Sequence, residues 1–228
     1  MLTKKKKLTK KEIKEDKLVT TYYKAYNYFS ENKNRIGIYA GAVVALIAVI
    51  YFYLNYRAES NKEAGIHLAK VMSLYDAGSY LEAIEGRQGT KVIGLKKIVA
   101  EYGSTENGET AKIFLANSYG MLGNIEEAFK YYEDYSGKNE IFKATALAGE
   151  AGYYAYKKDY EKAADLYLKA SRISKNNVLN PDYMLKAAVN YIEAGKKEEA
   201  KDLLEIIRKE YQTSTAFREV DKYLTLTN

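Results

Sequence analysis

The chain has 228 residues, with 36 Lys/Arg, 30 Asp/Glu, one histidine and no cysteine. The lack of cysteine excludes disulfides, thiolate catalysis, Cys-ligated metals and a lipoprotein anchor. The basic excess lies in the first 35 residues, which carry eleven Lys/Arg and four Asp/Glu. The rest of the chain has 25 Lys/Arg and 26 Asp/Glu. A nucleic-acid-binding protein needs a basic face on its folded domain, so we do not expect this class.

The first 35 residues are predicted to form a basic tail. Residues 1–17 are a lysine run with little apolar content, which favours a solvated, disordered arm. Further along, Leu18, Tyr22, Tyr26 and Phe29 recur at helical spacings of 4, 4 and 3. This segment is either an interfacial helix lying on the inner leaflet or a simple extension of the helix that follows.

Residues 36–54 are nineteen residues without a charge, and the uncharged interval runs from Arg35 to Arg57. A helix needs about 20 apolar residues to cross the hydrocarbon core, so we predict a transmembrane helix over residues 36–56. Three tyrosines at its C-terminal edge are typical of an aromatic belt: Tyr51, Tyr53 and Tyr56. A cleaved signal peptide is not expected, because the preceding basic region is long and the apolar segment ends in bulky residues.

Basic residues near the two ends of the span predict its orientation. Residues 56–76 contain only three Lys/Arg against eleven before the span, and the richer side stays in the cytoplasm. The sequence therefore predicts a single-pass protein of a bacterial inner membrane, with residues 1–35 cytoplasmic and the C-terminal domain periplasmic. Within the span, Gly37, Gly41 and Ala45 form a stripe of small residues on which another helix can pack.

After the span, the pattern is helical and repeats. Ala128, Ala163 and Ala200 begin equivalent segments at steps of 35 and 37 residues, each preceded by a tight turn and acidic residues. Gly123 and Gly195 suit the left-handed residue that ends a helix, whereas the second repeat has a lysine in this place.

These segments resemble the tetratricopeptide repeat (TPR), a helix–turn–helix unit of about 34 residues. The resemblance implies an all-α fold, namely a TPR-like α-solenoid after the transmembrane helix. Its parts are a degenerate first unit with an insertion over residues 57–108, three repeats over 109–213 and a capping helix over 214–228. In the first unit, the sequence EGRQGTKVIG interrupts the second helix.

Nothing in the sequence indicates an enzyme, a metal site or a cofactor. The one histidine, His67, has no second histidine or cysteine to cooperate with, so a packing or surface role is expected. The pairs Glu126–Glu127 and Glu198–Glu199 lie in first turns of helices, where negative charge complements the helix dipole.

The resemblance instead implies a binding groove lined by the first helices of the repeats, which receives proteins or peptides rather than small-molecule substrates. TPR domains that clamp a C-terminal carboxylate use a Lys and Asn pair, and here Ile113 replaces the lysine beside Asn117. An apolar or extended ligand is therefore expected. Eight residues are predicted to line the groove: Ile113, Asn117, Ala148, Gly152, Tyr156, Leu185, Val189 and Ile192.

A basic tail, one span and an exported TPR domain also resemble the YfgM-like family of inner-membrane proteins, which is an ancillary Sec translocon subunit family. The resemblance covers nearly the whole chain, and the segment IVAEYGST before the first clear repeat is its most family-like local feature. It implies an adaptor or chaperone-like role beside the Sec translocon, with a periplasmic chaperone as partner. The alternative is a structural scaffold that recruits one fixed partner to a cell-envelope assembly complex.

Overall fold

The computed structural model describes the backbone of residues 10–227 and the side chains of residues 17–227. The described residues contain helices, turns and no strand, with one isolated antiparallel bridge between Gly86 and Ile93. The predicted all-α class is confirmed, with one apolar N-terminal helix and a TPR-like helical repeat region. The chain divides into two compact units, Met1–Tyr56 and Arg57–Asn228.

Helix α1 spans Lys10–Asp76 without interruption, because this segment contains no proline and only scattered glycines. Of the two alternatives for residues 18–34, the structure therefore has the helical extension. The predicted disordered arm is wrong over residues 10–17, which are helical, and residues 1–9 lie outside the described part. Among the described helices, α1 alone is long and apolar enough to cross a membrane, and none of its most apolar window is buried.

The second unit contains the end of α1 and nine further α-helices among the described residues. Its degenerate first repeat, residues 57–108, has two short helices, α2 (Tyr80–Glu85) and α3 (Leu95–Tyr102). Three helical pairs follow: α4 (Glu106–Met121) with α5 (Ile125–Glu133), α6 (Glu140–Tyr156) with α7 (Tyr160–Arg172), and α8 (Asn180–Glu193) with α9 (Lys197–Glu210).

Small residues at equivalent positions let the helices of each pair approach closely. Each of the three first helices buries an alanine, and each of the three second helices buries another: Ala116, Ala151 and Ala188, then Ala128, Ala163 and Ala200. Larger side chains such as Leu115, Leu204 and Ile207 fill the space between them and are fully buried. The small residues that recur in the sequence are therefore the ones at which the paired helices pack together.

The turns between paired helices share one left-handed residue. Gly78, Gly123 and Gly195 have φ of +73°, +78° and +77°, and Lys158 has φ of +63° at the equivalent place in the second repeat. A lysine adopts this conformation at a cost that glycine avoids. The geometry of the turn is thus kept even where the glycine is missing.

Residues 86–94 separate α2 from α3 and depend on close backbone contact. Gly86 has φ of +90° and pairs with Ile93. A Cβ on Gly94 would lie 2.1 Å from the carbonyl oxygen of Ile84, so only glycine fits there. The inserted segment folds back on itself and returns the chain to a second short helix.

Residues after α9 form a shorter cap than the capping helix that the sequence predicts over 214–228. A 3-10 helix at Ala216–Glu219 leads into α10 (Val220–Leu224). Val220 is buried and Leu224 packs against the same core cluster, whereas Phe217 stays on the surface. The Ser214 hydroxyl accepts a hydrogen bond from the Phe217 amide, which favours a tight turn at this point.

A buried ion pair fixes the connection between α5 and α6. Lys112 Nζ lies 2.9 Å from Glu109 Oε1 and 2.8 Å from Asp134 Oδ2. Glu109 also accepts hydrogen bonds from the backbone amide and hydroxyl of Ser136. Burial lowers the pKa of Lys112, but its bonds to Asp134 and Glu109 outweigh this and raise the pKa. The charged form is therefore satisfied inside the protein.

Candidate functional site

The candidate site is the first-helix surface, which we define as the faces of α4, α6 and α8 that carry the eight predicted groove residues. Seven of the eight are half-buried or exposed. Ile113 is the exception, because only 1% of its surface is exposed. Its side chain belongs to the interior, so Ile113 is removed from the predicted groove.

Asn117 is half-buried and held by two tyrosines. The Tyr132 hydroxyl donates to Asn117 Oδ1 at 2.6 Å, and Asn117 Nδ2 donates to the Tyr75 hydroxyl at 3.4 Å. Burial raises the pKa of Tyr132, so its hydroxyl keeps its proton and remains a donor. Asn117 therefore joins α4 to α1 and α5, and its amide is largely committed to the fold.

Two glycines of α6, the middle helix of the surface, lie against tyrosines from second helices. A Cβ on Gly149 would lie 2.3 Å from the Tyr132 ring, and a Cβ on Gly152 would lie 3.4 Å from the Tyr167 hydroxyl. The Tyr132 ring and the Tyr167 hydroxyl therefore lie against this face of α6. A side chain on Gly149 would displace the Tyr132 ring, so this glycine serves the packing of α5 against α6.

A row of aromatic rings borders Asn117 and was not predicted. Tyr75 lies edge-on to Tyr80 at 5.6 Å and to Phe114 at 5.0 Å between ring centroids. Phe114 continues to Phe142 at 6.0 Å. These contacts join the degenerate first repeat to α4 and α6. The aromatic residues were visible in the sequence, but their spacing differs from that of the repeat, so no period points to them.

Helix α8 contributes the apolar part of the first-helix surface. Leu185, Val189 and Ile192 are half-buried, and Leu185 and Ile192 pack against the core cluster of the last two repeats. Lys186 lies between them with its Nζ 5.6 Å from the centre of the Tyr167 ring. These side chains stabilise the domain and also present part of their apolar surface to solvent.

The most accessible residue of the predicted set is Tyr156, which is 62% exposed. Met121, at the end of α4 and 35 residues earlier, is 64% exposed. Counting one repeat back from Tyr156 finds Met121, so the sequence contained the signal that was missed. The end of the first-helix surface near the turns therefore carries two large exposed side chains.

The acidic residues of the second helices are used in contacts between repeats. Glu126 in α5 pairs with Lys157 after α6 at 2.8 Å, and Glu161 in α7 pairs with Lys196 after α8 at 2.5 Å. The hydrogen bond from Lys157 lowers the pKa of Glu126. These exposed pairs are structural links of modest strength.

The described residues contain no group of three His, Cys, Asp or Glu side chains that could hold a metal ion. His67 stacks on Tyr102 with ring centroids 6.1 Å apart, and its buried Nδ1 has no hydrogen-bond partner among the described residues. This placement agrees with the expected packing role.

Residues 182–214, which include nearly all of α8 and all of α9, match the family model of the tetratricopeptide repeat. The chain contains a tetratricopeptide repeat. No curated protein and no solved structure matches the chain. TPR domains generally mediate protein–protein binding and are typically not catalytic. The helical pairs α4–α5 and α6–α7 have the same turns and buried alanines as the matched pair.

Proposed function

We propose that this protein is a membrane-anchored TPR module that binds other proteins on the periplasmic side of a bacterial inner membrane. In this proposal, it acts as an adaptor or chaperone-like factor beside the Sec translocon. The observation that carries the proposal is the combination of a matched tetratricopeptide repeat with a long apolar helix in one chain.

The orientation is supported by the distribution of charge. Eleven Lys/Arg precede the apolar segment, and the tail they form has a net charge of about +7, which favours the cytoplasmic side. The rest of the chain is almost neutral, so its passage across the membrane does not oppose this bias. Anionic headgroups of the inner leaflet attract the same basic tail.

The binding surface is supported by the exposed apolar side chains of the first helices. Leu185, Val189 and Ile192 present part of their apolar surface on α8, and Tyr156 and Met121 are exposed at the ends of α6 and α4. We expect the ligand to be an extended or helical protein segment with small or apolar side chains. We do not expect a carboxylate clamp, because the buried Ile113 occupies the position of its lysine.

The place beside the translocon rests on the resemblance to the YfgM-like family. A tethered adaptor needs only weak affinity for each client, because confinement near the membrane raises the effective concentration of partners. The predicted lining residues are all uncharged, and Tyr156 and Met121 are exposed, which suits transient contact with chains that are not yet folded.

Site-specific photo-crosslinking in native membranes tests this function. A photoreactive residue at Tyr156 or Met121 probes the first-helix surface, and the same residue at the exposed Lys201 on α9 is the matched control. We expect Sec subunits, a chaperone and a range of exported chains to crosslink from the first two positions and not from the control. One stoichiometric partner would instead support the scaffold alternative, and equal crosslinking from all three positions would contradict the proposed surface.

A further inference from the structure

The N-terminal part of α1 has a row of large apolar side chains that no described residue of its own unit covers. Between 52% and 66% of the surface of each is exposed: Leu18, Val19, Tyr22, Tyr23, Tyr26 and Phe29. The rings of Tyr22 and Tyr26 stack on one another at 6.4 Å along this face. The segment lies before the uncharged span, so the hydrocarbon core of a bilayer does not account for these residues.

The row follows a heptad pattern. With Val19 and Tyr26 at position a, Tyr22 and Phe29 fall at position d, and Leu18 and Tyr23 occupy the flanking positions g and e. The outer positions b, c and f are mainly polar: Thr20, Thr21, Lys24, Asn27, Glu31, Asn34 and Arg35, with Tyr28 as the exception. Apolar a and d positions with polar outer positions are typical of a coiled-coil seam.

The same seam continues into the span on one unbroken helix. The next a and d positions are all apolar except Lys33: Ile36, Ala40, Val43, Ile47 and Ile50. We propose that α1 pairs in parallel with α1 of a second copy of this chain through residues 18–36 and the adjoining half of the span. This inference rests on the proposed membrane anchoring and not on the role beside the translocon.

Several properties of the helix favour a second copy over lipid as the occupant. A helix lying on the leaflet would need a bend near residue 35, and α1 is continuous from Lys10 to Asp76. The seam stays on one face of the helix from its aqueous part into the bilayer. A partner helix that runs alongside α1 can cover this face in both surroundings. Every copy inserts with the same orientation, so the pairing is parallel and the same residues face one another.

The available area is sufficient for a stable contact. Aromatic side chains bury about 150–250 Å² each, so Tyr22, Tyr23, Tyr26 and Phe29 at their observed exposure offer on the order of 400–600 Å² per helix. Two facing copies then approach the roughly 1,000 Å² expected of a specific interface before the span adds its own packing.

Two features oppose the pairing and shape it. The basic tails repel one another, although anionic headgroups and salt screen this repulsion. Lys33 occupies an a position at the edge of the bilayer, where a single polar residue in a seam sets register and oligomeric state at some cost in stability. Its long side chain can direct the ammonium group to the headgroups.

The proposed seam differs from the stripe of Gly37, Gly41 and Ala45. Residues four apart advance by about 40° around an α-helix, so that stripe turns away from a seam with a heptad period. Gly37 borders the seam at position e, whereas Gly41 and Ala45 fall at b and f. Packing through the small-residue stripe would therefore bring a different set of side chains together.

Cysteine scanning tests the seam, because the natural chain has no cysteine and needs no background substitutions. Single substitutions Tyr22→Cys, Tyr26→Cys and Phe29→Cys are compared with Thr20→Cys, Lys24→Cys and Asn27→Cys in the full-length protein in native membranes. After mild oxidation, we expect several-fold more disulfide-linked dimer from the first set than from the second. Resistance of each variant to alkaline extraction confirms membrane insertion separately from pairing.

Each alternative gives a different result in an inserted protein. Lipid or another protein on the row would give no dimer at any position, and a mixed product of higher mass would identify another protein. Dimer formation from Gly41→Cys and Ala45→Cys but not from Val43→Cys and Ile47→Cys would assign pairing to the small-residue stripe. Any of these results overturns the proposed seam.

Discussion

The two units of this protein use the same apolar residue types in opposite ways. Leu46 in the first unit is mostly exposed, whereas Leu204 in the second is fully buried among residues of its own domain. The second unit therefore contains its own core, whereas the described apolar residues of the first unit are left for contacts outside it. Length and charge show which is which: an uncharged run requires a bilayer, whereas apolar residues that alternate with charged ones at helical spacing require a neighbouring helix.

The largest expected effect separates the two units by one substitution. Leu204→Ala removes buried methyl groups from a packed core, so we expect the free energy of unfolding to fall by about 2–5 kcal/mol. Leu46→Ala in the full-length protein should leave thermal unfolding of the repeat domain unchanged. Circular dichroism in detergent micelles measures both, and a similar fall for both variants would show that the units do not differ in this way.

A smaller effect is expected at the hydrogen bond that holds Asn117. Tyr132→Phe removes the donor to Asn117 Oδ1 and leaves a partly buried acceptor unpaired, which should cost about 1–2 kcal/mol. Tyr131→Phe is the matched control, because Tyr131 is also half-buried and its stacking on Tyr119 does not need the hydroxyl. Urea denaturation should show the difference, and equal midpoints would mean that the bond contributes nothing.

The second repeat can be stabilised at its turn. Lys158 has the left-handed conformation that glycine takes in the other repeats, so Lys158→Gly should raise the unfolding free energy by up to about 1 kcal/mol. Gly195→Lys should lower the unfolding free energy by a similar amount, because it places a lysine at a φ of +77°. No steric clash adds to this cost, since a Cβ at this position would meet no other atom within 4 Å. If both substitutions destabilised the domain, the Lys158 side chain would have a role beyond the turn.

The smallest effect depends on pH and involves Glu150 on α6. Burial, followed by the nearby Glu133 carboxylate, raises the pKa of Glu150, while Lys169 and Lys162 oppose the shift. A raised carboxyl pKa contributes stability below the unfolded value that is lost as pH rises through the folded value. Glu150→Gln should therefore raise the melting temperature more at neutral pH than at pH near 4. A gain that does not change with pH would assign the effect to packing.

The repeat core was predictable because its signal is periodic. Ala128, Ala163 and Ala200 recur at a constant spacing, and the structure buries all three. The left-handed turn was predictable from Gly123 and Gly195. Lys158 has the same backbone conformation, so the turn forms even in the repeat that lacks the glycine. Period and turn chemistry together are sufficient to identify the helical pairs.

The details of the candidate site were less predictable, because they depend on contacts between distant residues. Counting along a repeat places Ile113 on the groove face, but it gives no information on the packing that buries it. The repeat position of Asn117 predicts that it lines the groove, but it does not reveal that Tyr75 and Tyr132 from two other helices hydrogen-bond its amide. The predicted cap over 214–228 is longer than the observed one, because a segment of mixed polarity does not reveal where a 3-10 helix replaces an α-helix.

Labelling of single cysteines in intact cells tests the central claim, which is a repeat domain anchored across a membrane. Thr9→Cys marks the basic tail, and Asn176→Cys marks the exposed connection between α7 and α8. A membrane-impermeant maleimide that can pass the outer envelope should label Asn176→Cys directly and Thr9→Cys only after the inner membrane is permeabilised. Labelling of both positions before permeabilisation, or of the tail alone, would contradict the account.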